Sequence, residues 1–275
     1  MHNSHKDNIS GLFTLLVCFC LLSTTLSLLA TQRVMSAETL KKPLLVAHRG
    51  ANLEADENTL KAYKLAIQYG MDYIECDPRL TKDGVFVIMH DGNVNRMTNG
   101  TGKISDMTLA EIRALKTRNG EQIPTLEEVL SLAKENGVRV YLDTKGFDDS
   151  YMEQLVAQVK KSEMSDKVMA GLWMIEQLKF MQKNYPEIAK SIPYPTPMSS
   201  MKTAKKSGAN WVGTILDQAT PAAIKKADEA GLKMITLEIN DKETMIRKIN
   251  DGLQVIQTDD PKLLRSVIDE MFVSK

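Results

Sequence analysis

Cysteine, histidine and aromatic residues are all scarce in this chain, and each scarcity narrows what it can be. Of three cysteines, Cys18 and Cys20 lie in an apolar N-terminal stretch, so Cys76 alone remains beyond it and no disulfide can staple that part. A lone thiol is usually a small buried apolar side chain, and that is the expected role of Cys76. Aromatics make up 5% of the residues, while Lys plus Arg and Asp plus Glu both number 35. Such a balance leaves no basic footprint, so no nucleic-acid partner is expected. There is no low-complexity segment or repeat of fixed period, and 275 residues suit a single α/β barrel domain, which takes about 250.

From Gly11 to Ala30 the chain carries no charge, and Lys6 supplies the positive charge ahead of it. Residues 1–37 therefore read as a signal peptide, with a cleavage site around Val34-Met35-Ser36, or as a retained N-terminal membrane anchor. Either way the remainder, 38–275, is expected to be exported to a periplasmic or extracellular location. Membrane proximity would come through the N-terminal segment.

Beyond that leader, strand-like runs ending in polar residues alternate with helical patterns almost to the C-terminus. This is the pattern of repeated βα units and a parallel sheet. Strands are expected at Leu44 to His48, Tyr73 to Asp77, Arg139 to Asp143, Lys167 to Gly171, Lys190 to Tyr194, Trp211 to Ile215, Met234 to Glu238 and Gln254 to Thr258. Eight of them favour a TIM-like (β/α)8 barrel. Helix stops at Gly70, Gly137, Gly208, Gly231 and Gly252, and starts at Pro221 and Pro261, punctuate the intervening segments. An extra strand from Val85 to His90 follows Asp83-Gly84, a strong hairpin signal, so a β-hairpin insertion is expected after the second strand. A two-residue turn would pair Lys82 with Val85 and set His90 opposite Asp77; a three-residue loop would set it opposite Cys76 instead.

Only two histidines lie beyond the leader, His48 in LLVAHRG and His90 in VFVIMHD. Imidazoles exchange protons near neutral pH, so two of them beside carboxylates suggest an acid/base pair. Glu75 and Asp77 are two apart on one expected strand, hence on one face, where they could share a cation that prefers hard oxygen ligands. In Val140-Tyr141-Leu142-Asp143-Thr144-Lys145 a third carboxylate and a second positive charge face the same opening. His48, Arg49, Glu75, Asp77, Asp143 and Lys145 all fall at the C-terminal ends of expected strands, where barrel enzymes place their chemistry.

The runs AHRGANLEADENTLKAY, DYIECDPRLTKDGVFVIMHDGNVNRMTNGTGKISDMTLAEI, IPTLEEVL and VYLDTKG resemble the glycerophosphodiester phosphodiesterase family in order and spacing. The likeness is strongest from Leu44 to about Lys145, and VIQTDDP resembles that family's closing strand. It implies a TIM-like barrel that cleaves small glycerophosphodiesters to sn-glycerol 3-phosphate and an alcohol with a divalent metal ion, Ca²⁺ or Mg²⁺. Carried over by position, it implies His48 and His90 as general acid and base, Glu75, Asp77 and Asp143 as metal ligands, and Arg49 and Lys145 as phosphate contacts. Glu57 is expected to orient a metal ligand or a histidine. The family's usual mechanism runs through a cyclic phosphate formed by a glycerol hydroxyl.

Two departures stand out. Asp143 occupies a position where many members carry Glu, and Thr236-Leu237-Glu238-Ile239-Asn240 replaces a stretch that often holds a Trp followed by a polar residue. Trp173 and Tyr194 could line the pocket in its place. These departures keep two alternatives open: a lysophospholipase D or sphingomyelinase D-like phosphodiesterase, and a non-catalytic glycerophosphodiester-binding envelope protein.

Overall fold

Alternation along each strand decides which side chains face the barrel axis and which face the helices. The computed structural model describes residues 40–195 and 200–273, all but Leu40 in one unit, Lys41–Lys275; the leader expected over 1–37 lies outside the described residues. Among the described residues, no helix is long and apolar enough to cross a membrane.

Eight parallel strands close into a barrel: β1 (Leu44–Ala47), β2 (Tyr73–Cys76), β5 (Arg139–Asp143), β6 (Val168–Gly171), β7 (Ala189–Pro193), β8 (Trp211–Thr214), β9 (Lys233–Thr236) and β10 (Val255–Thr258). All eight expected strands are present, most of them a residue or two shorter at an end. β10 pairs with β1 to complete the circle, with Ala47 opposite Thr258. Trp211 packs edge-on to Tyr73 at 5.1 Å and stacks on Tyr141 at 6.0 Å. Those two residues come from β2 and β5, strands not adjacent to β8, so all three rings lie inside the barrel. Each such ring pair adds about 0.5–1.5 kcal/mol beyond area burial.

The opposite faces carry the larger core. Ile74, Cys76, Val140 and Leu142 join Tyr63, Leu130, Leu155 and Leu264 between strands and helices. Cys76 is fully buried there, as its apolar role requires, and burial pushes its thiol pKa well up. Tyr73, Glu75 and Asp77 therefore point the other way from Cys76, and Tyr141 and Asp143 do the same on β5.

Crossover helices begin on short polar caps, each worth about 1 kcal/mol: Thr59, Thr125, Asp148, Thr220, Asp241 and Asp260 each accept a backbone N–H. The five glycines expected past helix ends all adopt positive φ, and Pro221 and Pro261 open their helices. A short helix, Leu109–Ala114, with a Thr108/Glu111 capping box, was not anticipated by the apolar pattern.

The hairpin insertion is present but its register differs from the two-residue expectation. β3 (Pro78–Leu80) pairs with β4 (Phe86–Ile88), with Pro78 opposite Ile88 and Leu80 opposite Phe86. Thr81 N donates to Val85 O at 2.9 Å, so Lys82, Asp83 and Gly84 form a three-residue loop with Gly84 at φ +79°. Asp83 is held by Thr81 Oγ1 at 2.7 Å and by Leu109 N at 3.0 Å, which favours the longer loop over a tight Asp-Gly turn. An unbroken ladder would then put His90 opposite Cys76. Instead the ladder ends at Met89, whose N–H donates to Asp77 O at 2.9 Å. The Arg79 guanidinium takes the carbonyls of Met89 and His90, drawing the chain off strand alternation just where the imidazole is needed.

Candidate active site

Two left-handed residues begin the site. Arg49 (φ +55°) and Gly50 (φ +84°) follow β1, and a Cβ on Gly50 would sit 2.7 Å from the Ala62 backbone in the helix Leu60–Gln68. Only glycine permits that approach. The turn aims the Arg49 N–H at Glu75 Oε2, 2.8 Å away, and the Arg49 side chain toward Glu57 Oε1 at 3.2 Å. Strained non-glycine backbone of this kind costs about 1–3 kcal/mol and collects at functional sites. Asn58 (φ +59°) is the second case. Thr59 caps the helix, which leaves Asn58 free for the site: its Nδ2 donates to Asp77 Oδ2 at 2.7 Å and its Oδ1 accepts from Tyr63 at 2.7 Å.

Glu75, Asp77 and Asp143 each offer a carboxylate oxygen within 4.8 Å of the others. Asp143 reaches this cluster without the extra methylene of a glutamate, and its Oδ1 accepts from Trp173 Nε1 at 2.7 Å. Lys145 Nζ lies between Asp77, at 2.8 Å, and Asp143, so it is engaged with carboxylates and not held free for a phosphate. Burial and the neighbouring Asp77 and Asp143 raise the Glu75 pKa well above its ordinary value. Burial alone would raise Asp77 too, but Lys145, Asn58 and Arg49 outweigh it and hold that carboxyl below the ordinary value. Asp77 Oδ1 is buried, with the Lys145 ammonium 2.8 Å away as its near partner. Three converging carboxylates, all hard oxygen donors, fit a divalent cation.

The two histidines are each oriented by a carboxylate. His48 Nδ1 lies 2.7 Å from Asp259 Oδ1, and its Nε2 lies 3.1 Å from Glu238 Oε1. Asn52, donating to the His48 carbonyl at 2.9 Å, and Asn240, donating to Asp259 Oδ2 at 2.6 Å, brace this corner. Burial would raise the Asp259 pKa, yet the bonds from His48, Asn52 and Asn240 bring it down to about 2. His90 Nδ1 lies 3.0 Å from Asp91 Oδ1, and Arg96 bridges Asp91 to Glu57. The Arg96 hydrogen bond holds Asp91 well below the usual carboxylate range. Glu57 thus touches neither the acidic cluster nor a histidine. It orients Arg49 directly and His90 only through Arg96 and Asp91.

One cavity of about 620 Å³ at the C-terminal ends of the strands is lined by His48, Arg49, Glu75, His90, Asp143 and Lys145. Asp77 lies beneath, 1% exposed, reached through its neighbours. Trp173 and Tyr194 line the same cavity, as do Ile215, Leu237 and Glu238. Sequence reasoning did not single out Asp91, Asp259 or Glu238 as partners of a histidine. A signal for Asp259 exists: of the pair Asp259-Asp260, only Asp260 caps the following helix, at 2.9 Å from Leu263 N, which leaves its neighbour another task.

Comparison with known proteins agrees with this geometry. The model of the glycerophosphoryl diester phosphodiesterase family matches residues 48–263. A glycerophosphodiester phosphodiesterase of Caldanaerobacter subterraneus subsp. tengcongensis is 31% identical over 238 residues, 82% of this chain and 98% of the relative. Among solved structures, a glycerophosphodiester phosphodiesterase of Agrobacterium tumefaciens superposes with a TM-score of 0.74 at 27% identity, over 82% of this chain and 100% of its own. An Oleispira antarctica phosphodiesterase, solved in complex with the product sn-glycerol-3-phosphate, gives 0.76 at 27% identity, over 82% of this chain and 97% of its own.

Proposed function

Because the chain belongs to the glycerophosphoryl diester phosphodiesterase family, we propose that it hydrolyses glycerophosphodiesters to sn-glycerol 3-phosphate and an alcohol, with His48 and His90 moving the protons. The observation that carries this reading is the meeting of two carboxylate-oriented imidazoles and a three-carboxylate cluster at one cavity.

The chemistry follows from the residues. A phosphodiester is an anion that gains charge on its leaving oxygen as the P–O bond breaks. With Nδ1 committed to Asp259, His48 presents Nε2 to the cavity; with Nδ1 committed to Asp91, His90 does likewise. One imidazole takes the proton of the attacking hydroxyl and the other gives a proton to the departing oxygen, a division worth about 10²–10⁴ in rate. Glu75, Asp77 and Asp143 would hold a divalent ion, Ca²⁺ or Mg²⁺, which when bound supplies charge stabilisation for the phosphate oxygens. Arg49 lines the cavity with a planar fork suited to the same anion. With a dication held by the carboxylates, Lys145 beside them would supply a second positive charge to the phosphate.

The decisive assay measures sn-glycerol 3-phosphate release from a panel of diesters, with chelator and after restoring each cation. Release that survives exhaustive chelation would remove the metal from the proposal. No release from any diester would remove the activity and leave a binding role.

A second reading takes a lysophospholipid as the diester. It is favoured by Trp173, Ile215 and Leu237, which line the cavity and are each about half exposed (45%, 49% and 53%). Activity on micellar lysolipid with none on water-soluble diesters would select it. The uncharged stretch Gly11 to Ala30 supports export of the enzyme, which N-terminal sequencing of protein recovered from an envelope fraction would test.

A further inference from the structure

Glu238 is not used by the reaction as drawn, yet it occupies a position that the reaction needs. It follows β9 by two residues, its side chain is 26% exposed, and its Oε1 lies 3.1 Å from His48 Nε2, the imidazole atom that must face the diester. Gln257 Nε2 donates to the same Oε1 at 3.2 Å. Of the three carboxylates lining the cavity among the described residues, Glu75 and Asp143 belong to the acidic cluster, and Glu238 stands apart from it. For His48 to serve the substrate, this carboxylate must let go of Nε2, and a cation is what draws a carboxylate away from a histidine.

Resting on the functional reading above, we propose that Glu238 determines specificity for the leaving alcohol, its carboxylate pairing with the ammonium of an amino-alcohol head group and thereby releasing His48. The dimensions agree. In a two-carbon amino alcohol three single bonds of about 1.5 Å separate the ester oxygen from the nitrogen, so with that oxygen hydrogen-bonded to Nε2 the ammonium lies within about 4 Å of the oxygen. Glu238 Oε1, 3.1 Å from the same Nε2, stands beside the place that oxygen must take. Trp173 and Tyr194 line the same cavity, and aromatic rings there suit a quaternary ammonium. A diester of an uncharged alcohol has nothing to exchange for the Glu238 contact, and His48 stays held.

The test compares kcat/KM for glycerophosphoethanolamine and glycerophosphocholine with that for bis-glycerophosphate, whose leaving alcohol is uncharged. The unaltered enzyme should prefer the cationic diesters, and Glu238→Gln should shrink that preference by about tenfold to a hundredfold for glycerophosphoethanolamine, the range for deleting a charge-assisted hydrogen bond, and by less for glycerophosphocholine, whose quaternary nitrogen has no N–H to donate. Glu238→Asp should retain part of it. A fall of equal size for all three diesters in Glu238→Gln would overturn the proposal, since it would mean that Glu238 only holds His48. A second measurement needs no variant: free ethanolamine should inhibit the unaltered enzyme at a concentration at least about tenfold below that of ethylene glycol, its uncharged counterpart. Equal inhibition overturns the proposal while leaving the activity standing, whereas hydrolysis of none of the diesters would defeat the functional reading itself.

Discussion

His48 and Asp259, 211 residues apart in the chain, meet through Nδ1 and Oδ1 at 2.7 Å. The contact is a product of barrel closure: Ala47 lies opposite Thr258 where β1 pairs with β10, and His48 N donates to Thr258 O at 2.9 Å. The residues just past those two strands are thereby set side by side. The first and last strands of the domain must find each other before this histidine has an orienting partner.

Asp259→Asn should lower kcat by about tenfold to a hundredfold, part of what acid-base catalysis supplies, with a smaller change in KM. The same variant tests the linkage. The Asp259 carboxyl is brought down to about 2 from an ordinary 3.8, so its stabilising contribution is fully present above the ordinary value and is lost as pH falls through about 2. The difference in urea midpoint between parent and variant should be constant above about pH 5 and shrink steadily toward pH 2. A difference independent of pH would show that the carboxylate charge does not contribute.

His48→Ala and His90→Ala should each fold and lose about 10²–10⁴ of kcat. Circular dichroism and thermal melts check the fold, and release of sn-glycerol 3-phosphate checks the activity. Retention of more than a tenth of the rate in either variant would exclude that histidine from proton transfer.

Arg96→Ala removes the bridge between Asp91 and Glu57, two carboxylates that orient His90 and Arg49. A drop of about tenfold in kcat is expected, with thermal stability nearly kept because Arg96 is substantially exposed (40%). Unchanged turnover would show that His90 needs no support beyond Asp91.

Tyr63→Phe deletes a buried hydroxyl that donates to Asn58 Oδ1, and Asn58 in turn donates to Asp77. Leaving the Asn58 oxygen unpaired should cost about 1–3 kcal/mol, read as a fall in urea midpoint at constant slope. A neutral result would mean that water or a side-chain rearrangement satisfies the amide.

Saturating Mg²⁺ or Ca²⁺ should raise stability by about 2.7 kcal/mol at a hundred times the dissociation constant. Glu75→Gln with Asp143→Asn should abolish that shift. A shift that persists in the double variant would place the ion elsewhere.

Local patterns carried much of this molecule. Strand-like runs ending in polar residues located all eight barrel strands, and helix ends were marked by glycines that the fold does hold at positive φ. Glu75 and Asp77 could be assigned to one face because a strand's pleat is a rule of covalent geometry. The hairpin register was not legible, because it turned on Asp83 bonding to Leu109 N, a backbone group 26 residues away. The path by which Glu57 acts is likewise tertiary: it bonds Arg49 and Arg96, and Arg96 carries its effect through Asp91 to His90.

The amino-acid sequence by itself determined the barrel class, the inert burial of Cys76 and the supply of acidic, basic and imidazole groups at strand ends, since each depends on neighbours within a few residues. Tertiary structure alone decided which carboxylate holds which imidazole: Asp259 and Glu238 on His48, and Asp91 on His90. Most of those pairings join residues brought together by ring closure or by a chain drawn off its ladder at Arg79, and no short-range rule of propensity or spacing encodes a distance across a barrel mouth.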